Sequence, residues 1–205
     1  MSESDHARFG GIGTTIGAAL GGAVGAAPRA DPAATAGLDV LFDRLLAQRR
    51  ADPREDVLSS LAAVSDEGRV EPGEVGVLCR SLLVAGFETT VNLIGNAVMA
   101  LLRHRERWEA LVGDRSLAPG VVEEALRYDS PVQITGRWAR WDTEVAGAGV
   151  RRGTQVMCLL GSANRDPAHF TDPDHFDVER AGAGGHLSFS SGAYYCSGPV
   201  GPVGG

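Results

Sequence analysis

Apolar positions in this chain recur at helical spacing over residues 38–128 and give way to short alternating runs only afterwards. Leu38, Leu41, Phe42, Leu45 and Leu46 share one face of a segment that ends in Arg49-Arg50. That pattern predicts a helix over 38–50 with basic residues at its negative end, after a loop over 28–37. Ala51-Asp52-Pro53 breaks it, a short helix follows over 57–64, and Asp66-Glu67-Gly68 makes a turn. From Glu74 to about Arg103 no proline intervenes, so the pattern predicts one helix of roughly 45 Å. Being apolar on most sides, it is expected to be the central buried helix of the fold. Shorter helices over 105–112 and 121–128 follow, the second opened by Pro119. Beyond Ser130, residues 134–140, 143–145 and 154–160 read as strands, with Gly147, Gly149 and Gly153 at turns. The remainder reads as loop rich in Asp-Pro steps. The expected class is mainly α with small β hairpins.

Composition narrows the function classes. A net charge of −7 on 205 residues argues against nucleic acid or an anionic membrane as partner. Cys79, Cys158 and Cys196 are widely separated and form no CxxC pair. A disulfide framework or zinc knuckle is therefore not expected, and a reducing cytoplasm is the simplest home. Residues 9–27 are uncharged and rich in Gly and Ala, with Gly13, Gly17, Gly21 and Gly25 at every fourth position. On a helix these would make a bare stripe suited to close packing, against a membrane or a second chain. Gly11-x-Gly13-x-x-x-Gly17 has the look of a dinucleotide loop, but no strand precedes it, so small-residue packing is the simpler reading.

Four local patterns carry candidate chemistry. Phe189-Ser190-Ser191-Gly192-Ala193-Tyr194-Tyr195-Cys196-Ser197-Gly198 places one cysteine in a loop with glycine on both sides. Glycine lets such a loop turn sharply and approach a flat cofactor, and backbone N–H groups can point at the sulfur. A buried structural cysteine is the alternative. In the long helix, Ala85-Gly86-Phe87-Glu88-Thr89-Thr90 sets two tiny residues before an acid and two hydroxyls. A flat ligand can lie beside such a gap, and an acid next to a hydroxyl can pass protons; a Gly-containing helix with Thr bonded to its own preceding turn is the alternative. Glu124-Ala125-Leu126-Arg127 puts opposite charges on one helix face. Arg137 and His186 are cations able to bind carboxylates.

Taken in order, these patterns resemble the cytochrome P-450 family, of the soluble bacterial type, from about Leu38 to Gly198. Residues 85–90 resemble its oxygen-binding groove, Glu124-x-x-Arg127 its Glu-x-x-Arg motif, and Tyr128 to Gln133 the segment that follows. Ala163-Asn164-Arg165-Asp166-Pro167 and Asp172-Pro173-Asp174-His175-Phe176-Asp177 are similar to its meander, and Phe189-x-x-Gly192-x-x-x-Cys196-x-Gly198 to its haem loop. The spacing from Arg127 to Cys196, 196 − 127 = 69 residues, also suits that family. The resemblance implies haem b (iron protoporphyrin IX) with Cys196 as axial thiolate, Phe189, Gly192 and Gly198 forming its loop, and Ala85 and Gly86 lining the oxygen side. Glu88 and Thr89 would relay protons, Arg137 and His186 would pair with propionates, and Glu124–Arg127 would be a structural ion pair. The implied reaction inserts one oxygen atom from O2 into a small apolar organic substrate. Electrons would come from NAD(P)H through a ferredoxin and a ferredoxin reductase.

The chain also departs from the pattern. Family members are about twice as long, so residues 1–205 are expected to be a partial domain: a Gly/Ala-rich start over 1–37, a family-like region over 38–198 and an atypical tail over 199–205. Residues 8–20 resemble a helix over the substrate pocket, and the front portion that shapes that pocket has no counterpart. After Cys196 only 205 − 196 = 9 residues remain, with Pro199, Pro202 and several glycines, which exclude the helix expected there. Tyr194 stands where the family has a histidine or arginine, and His175 where arginine is common, which is expected to weaken the network around Glu124 and Arg127. Phe87 replaces a common histidine. Truncation is expected to impair turnover and to leave the long helix short of partners. The alternative function is a non-catalytic haem-binding or interaction remnant of the same fold.

Overall fold

A computed structural model of the chain describes residues 32–196 and Gly198. The Gly13/Gly17/Gly21/Gly25 stripe, the 8–20 segment and the tail from Pro199 lie outside the described residues. Helices α1 (Pro32–Ala51), α2 (Val57–Asp66), α3 (Pro72–Arg103), α4 (Arg105–Gly113) and α5 (Ala118–Tyr128) come first. Strands β1 (Ile134–Trp138), β2 (Thr143–Val145), β3 (Ala148–Val150) and β4 (Gln155–Leu159) and a short helix α6 (Leu160–Ala163) follow. The architecture is mainly helical with two small antiparallel sheets, as the pattern predicted. Two differences concern loops. The start of α1 falls within the expected 28–37 loop, because Pro32 has the fixed φ suited to a first helical turn. Gly149 lies inside β3 rather than at a turn.

By its contacts the chain divides into a unit ending at Glu88 and a unit beginning at Thr89. In the first, Leu38, Phe42 and Leu46 of α1 pack with Ala62 of α2 and Val75 and Cys79 of α3. Fully burying a side chain such as Leu38 or Phe42 contributes about 1.5–3 kcal/mol. An Asp39–Arg80 ion pair also joins α1 to α3. Asp56 caps α2: its carboxylate accepts from the Ser59 amide at 2.8 Å and from Arg49 Nε of α1 at 2.5 Å. The Ser59 amide foremost, with help from Arg49, holds this carboxyl down from 3.8 to about 2.

In the second unit Ala100 and Leu101 of α3, Val121 and Ala125 of α5, and Phe176 and Val178 of the long loop form a separate core. Phe176 is fully buried, with Tyr128 edge-on to it at 5.3 Å between ring centroids and His104 stacked at 5.8 Å. Gly120 lies so close to the Val178 carbonyl that a Cβ there would collide with it. β1 pairs with β4 in the register Ile134↔Leu159 to Trp138↔Gln155. β2 and β3 form a hairpin turned by Ala146 and Gly147 at φ 49° and 81°, values that match the twist of a tight hairpin.

α3 does not fill the role the pattern assigned to it. Val77, Phe87, Val91, Ile94, Val98 and Leu102 share one side of the helix and are exposed. The reason is partnership: among the described residues, α1 and α2 pack at the Val75–Cys79 end of one face of the helix and α5 at its Ala100–Leu101 end, which leaves the opposite face uncovered. The expectation that part of its apolar surface lacks partners holds among the described residues. By length and composition alone, Gly73–Arg103 is apolar enough to cross a membrane, a property that central helices of water-soluble folds share.

The most tightly held part of the second unit is the underside of α5. Glu124 and Arg127 have fully buried side chains and meet in a two-pronged pair, Nε–Oε2 at 2.8 Å and Nη2–Oε1 at 2.7 Å. Arg180 supplies a second guanidinium, its Nε 3.2 Å from both Glu124 oxygens. The remaining Arg127 donors go to the carbonyls of Asn164, Pro173 and His175 at 2.8, 2.9 and 3.2 Å. Arg180 spends its own on the carbonyls of Thr171, Asp172 and His175. The expected weakness at His175 is thus corrected: its carbonyl joins the network, and the second cation comes from Arg180. A carboxylate out of water needs this many donors to offset its desolvation.

Two measurements check these assignments. Glu124→Gln leaves two buried guanidinium groups without their counter-charge, and urea unfolding is expected to register a loss of about 3–5 kcal/mol. The same change at exposed Glu179 is expected to cost less than about 1 kcal/mol. Asp56 binds a proton near 3.8 in the unfolded chain and at about 2 in the folded one. Its contribution is complete above the first value and lost as pH falls through the second. The stability difference between the protein and Asp56→Asn is therefore expected to shrink across that interval.

Candidate functional site

The residues singled out from the sequence fall into two groups. Arg137, His186, Phe189, Gly192, Cys196 and Gly198 belong to the second unit and surround one loop. The loop leaves a 3-10 turn (Ala183–Gly185), passes through His186 and Phe189, turns again over Gly192–Tyr194 and reaches Cys196. Ser190 and Gly192 turn it with φ of 64° and 63°. Glycine takes that conformation freely, whereas for serine it costs about 1 kcal/mol or more. The Ser190 amide donates to the Leu187 carbonyl at 2.8 Å and closes the first bend.

Two backbone contacts set the cysteine. The Cys196 amide donates to the Phe189 carbonyl at 2.9 Å, joining the two legs of the loop. The Gly198 amide donates to Cys196 Sγ at 3.4 Å. Cys196 is exposed and free. A Cβ on Gly198 would touch its sulfur at 3.5 Å, and one on Gly192 would meet no described atom within 4 Å. Phe189 leans on Tyr195 at 6.1 Å and on the His186 ring at 5.6 Å.

Arg137 reaches this loop from the middle of β1. Its guanidinium donates to Thr135 Oγ1 and the Gly136 carbonyl, both at 2.9 Å, and to Ser190 Oγ at 3.5 Å. It lies 5.1 Å above the Tyr194 ring, so the exposed phenol carries the cation on its face. His186 is buried, in contrast. Its Nδ1 accepts from the Ser188 amide at 3.2 Å. Its Nε2 is 3.4 Å from Glu123 Oε2, without the alignment of a hydrogen bond. Burial lowers its pKa, opposed by the Glu123 carboxylate, so the ring is held toward its neutral form.

Ala85, Gly86, Glu88 and Thr89 lie on α3, which runs unbroken through Gly86. Ala85 and Gly86 are exposed, Glu88 and Thr89 half-buried. A Cβ on Gly86 would meet no described atom within 4 Å. Glu88 closes the first unit and Thr89 opens the second.

An open pocket of about 450 Å³ lies elsewhere in the second unit, lined by His169, Phe170, Asp172, His175, Asp177 and Arg180 among others. Among the described lining residues, the guanidinium of Arg180 is committed to Glu124 and to loop carbonyls. Sequence reasoning missed Arg180 and gave Asn164 and Ser188 no role. Asn164 is fully buried and bonded to the loop, as set out below. The available signal was a polar residue set between apolar Leu160 and Phe170, but nothing nearby in the chain names its partners.

Comparisons with known proteins agree with this fold. The cytochrome P450 family profile matches residues 40–199. The chain is 43% identical over 157 residues to a biotin biosynthesis cytochrome P450 of Bacillus subtilis, covering 77% of this chain and 40% of that protein. It is 44% identical over 156 residues to cytochrome P450 107B1 of Saccharopolyspora erythraea, covering 75% and 38%. Among solved structures, ligand-free CYP164A2 of Mycobacterium smegmatis superposes with a TM-score of 0.84 at 37% identity, over 95% of this chain and 51% of that one. The chain thus spans about two fifths of these curated relatives and about half of that solved chain. With motifs, fold and family profile in agreement across most of its length, the chain belongs to the cytochrome P450 family.

Proposed function

We propose that this chain carries the haem-thiolate half of a monooxygenase that inserts one oxygen atom from O2 into a small apolar organic substrate. The observation that supports it best is the geometry at Cys196: an exposed sulfur, on a loop closed by its own amide, accepting an N–H from Gly198. A thiolate-bound haem iron needs a sulfur accessible in this way, and an amide N–H pointing at it would temper its charge. Gly192 and Gly198, which carry no side chain, would let the loop lie close to a flat macrocycle. Bound haem b would supply the oxygen chemistry, in which one atom of O2 enters the substrate and the other leaves as water, with two electrons and two protons consumed.

The remaining roles belong to side chains. Cys196 Sγ would hold the iron. Arg137, which donates to the loop at Ser190, would neutralise a propionate, and its bonds to Thr135 and Gly136 keep the guanidinium oriented. His186 is the second propionate candidate; in its neutral form it can offer an N–H but no charge. Ala85 and Gly86 would leave the oxygen side of the ring uncrowded. Glu88 Oε and Thr89 Oγ1 would hold and pass the protons. Electrons would come from NAD(P)H through a ferredoxin and its reductase, in the cytoplasm, with neither membrane nor nucleic acid as partner, as the net negative charge favours.

Spectroscopy on the haem-supplied protein decides the first step. The reduced protein under carbon monoxide is expected to give the long-wavelength Soret band of thiolate-bound iron, and Cys196→Ala to abolish it. A missing band in the unsubstituted protein would refute the proposal. Turnover with a ferredoxin system is expected to fall about a hundredfold in Thr89→Ala, the lower end of the range for loss of a proton-transfer group. A retained band with no oxidation of any substrate would instead identify a haem-binding remnant.

A further inference from the structure

We infer that Asn164 is a positioning residue for the cysteine loop, fixing it to α5 and so setting where Cys196 Sγ stands. The clamp itself rests on hydrogen bonds; only its consequence at a metal rests on the haem-thiolate reading above.

Asn164 is fully buried at the end of α6. Its Oδ1 accepts from the Leu187 amide at 2.7 Å, and its Nδ2 donates to Ser188 Oγ at 2.9 Å. Its own carbonyl accepts from Arg127 Nη1 at 2.8 Å. Ser188 Oγ in turn donates to the Leu126 carbonyl at 2.6 Å. Both anchors, Leu126 and Arg127, belong to α5. Both clamped residues, Leu187 and Ser188, immediately precede Phe189, whose carbonyl takes the Cys196 amide at 2.9 Å. Every step from the buried ion pair to the cysteine is therefore a direct bond.

The chemistry requires an amide at this position. A serine hydroxyl has one proton, and Ser188 gives it to Leu126, so toward residue 164 it can only accept. The Leu187 amide can only donate. Residue 164 must therefore present an acceptor to one and a donor to the other from one short side chain. Aspartate has the same shape but presents oxygen to both. It would keep the Leu187 bond and force Ser188 to give up Leu126.

Asn164→Asp is therefore the discriminating substitution, studied in the full chain with and without haem. Without haem, amide hydrogen exchange at Ser188, Phe189 and Cys196 is expected to quicken about tenfold or more, the effect of losing roughly one buried hydrogen bond, while α1 and α2 are unaffected. With haem, the thiolate band under carbon monoxide is expected to lose intensity to a shorter-wavelength band. Phe176→Leu, which loosens the same core without touching the clamp, is expected to lower stability and leave the band ratio unchanged. Should Asn164→Asp not fold, Ser188→Ala removes only the hydroxyl and is expected to act in the same direction. Unaltered exchange at Cys196, or faster exchange with an unchanged band ratio, would overturn the inference. If the unsubstituted protein lacks the thiolate band, the haem-thiolate reading fails and the exchange result alone decides the clamp.

Discussion

A single carboxylate, that of Glu124, organises the second unit. It lies out of water between Arg127 and Arg180, and those two guanidinium groups collect the carbonyls of Thr171, Asp172, Pro173 and His175. A stretch from Asn164 to Arg180 with almost no regular structure of its own thereby acquires one conformation. The cost of burying the charges is offset only because nearly every donor finds a partner. Phe176 and Val178 are then delivered into the core by the same stretch.

The fold was legible where local chemistry is self-sufficient. Helical spacing located α1 to α5, and alternation located β1, β2 and β4, because those patterns express a buried face directly. Boundaries were less legible. Pro32 opens α1 well ahead of its first large apolar residue, since proline at a helix start leaves no hydrophobic mark. The burial of α3 was misjudged for a different reason. Its residues announce that the helix prefers apolar surroundings, whereas its exposure depends on which neighbours exist.

The site was legible in its motifs and illegible in its scaffold. Cys196, Gly192 and Gly198 lie within a few residues of one another, so spacing alone implied a loop around a sulfur. Arg180 bonds Glu124 across 56 positions and Asn164 bonds Ser188 across 24. Nothing local marks such partners. A buried amide and an exposed amide are the same letter, and only the fold distinguishes them. His175 illustrates the converse error: its side chain drew attention by analogy, while its backbone carbonyl supplies the contact.

The bare apolar side of α3 has a colloidal consequence. Among the described residues, side chains such as Val91, Ile94, Val98 and Leu102 are exposed, on a molecule whose mutual repulsion comes from a net charge of −7. That repulsion acts over a Debye length, about 8 Å at physiological ionic strength and shorter in concentrated salt. Raising ionic strength therefore removes the barrier between copies while strengthening the attraction between their oily flanks. The chain is best kept dispersed at low salt and at a pH well above its isoelectric point of about 5.2.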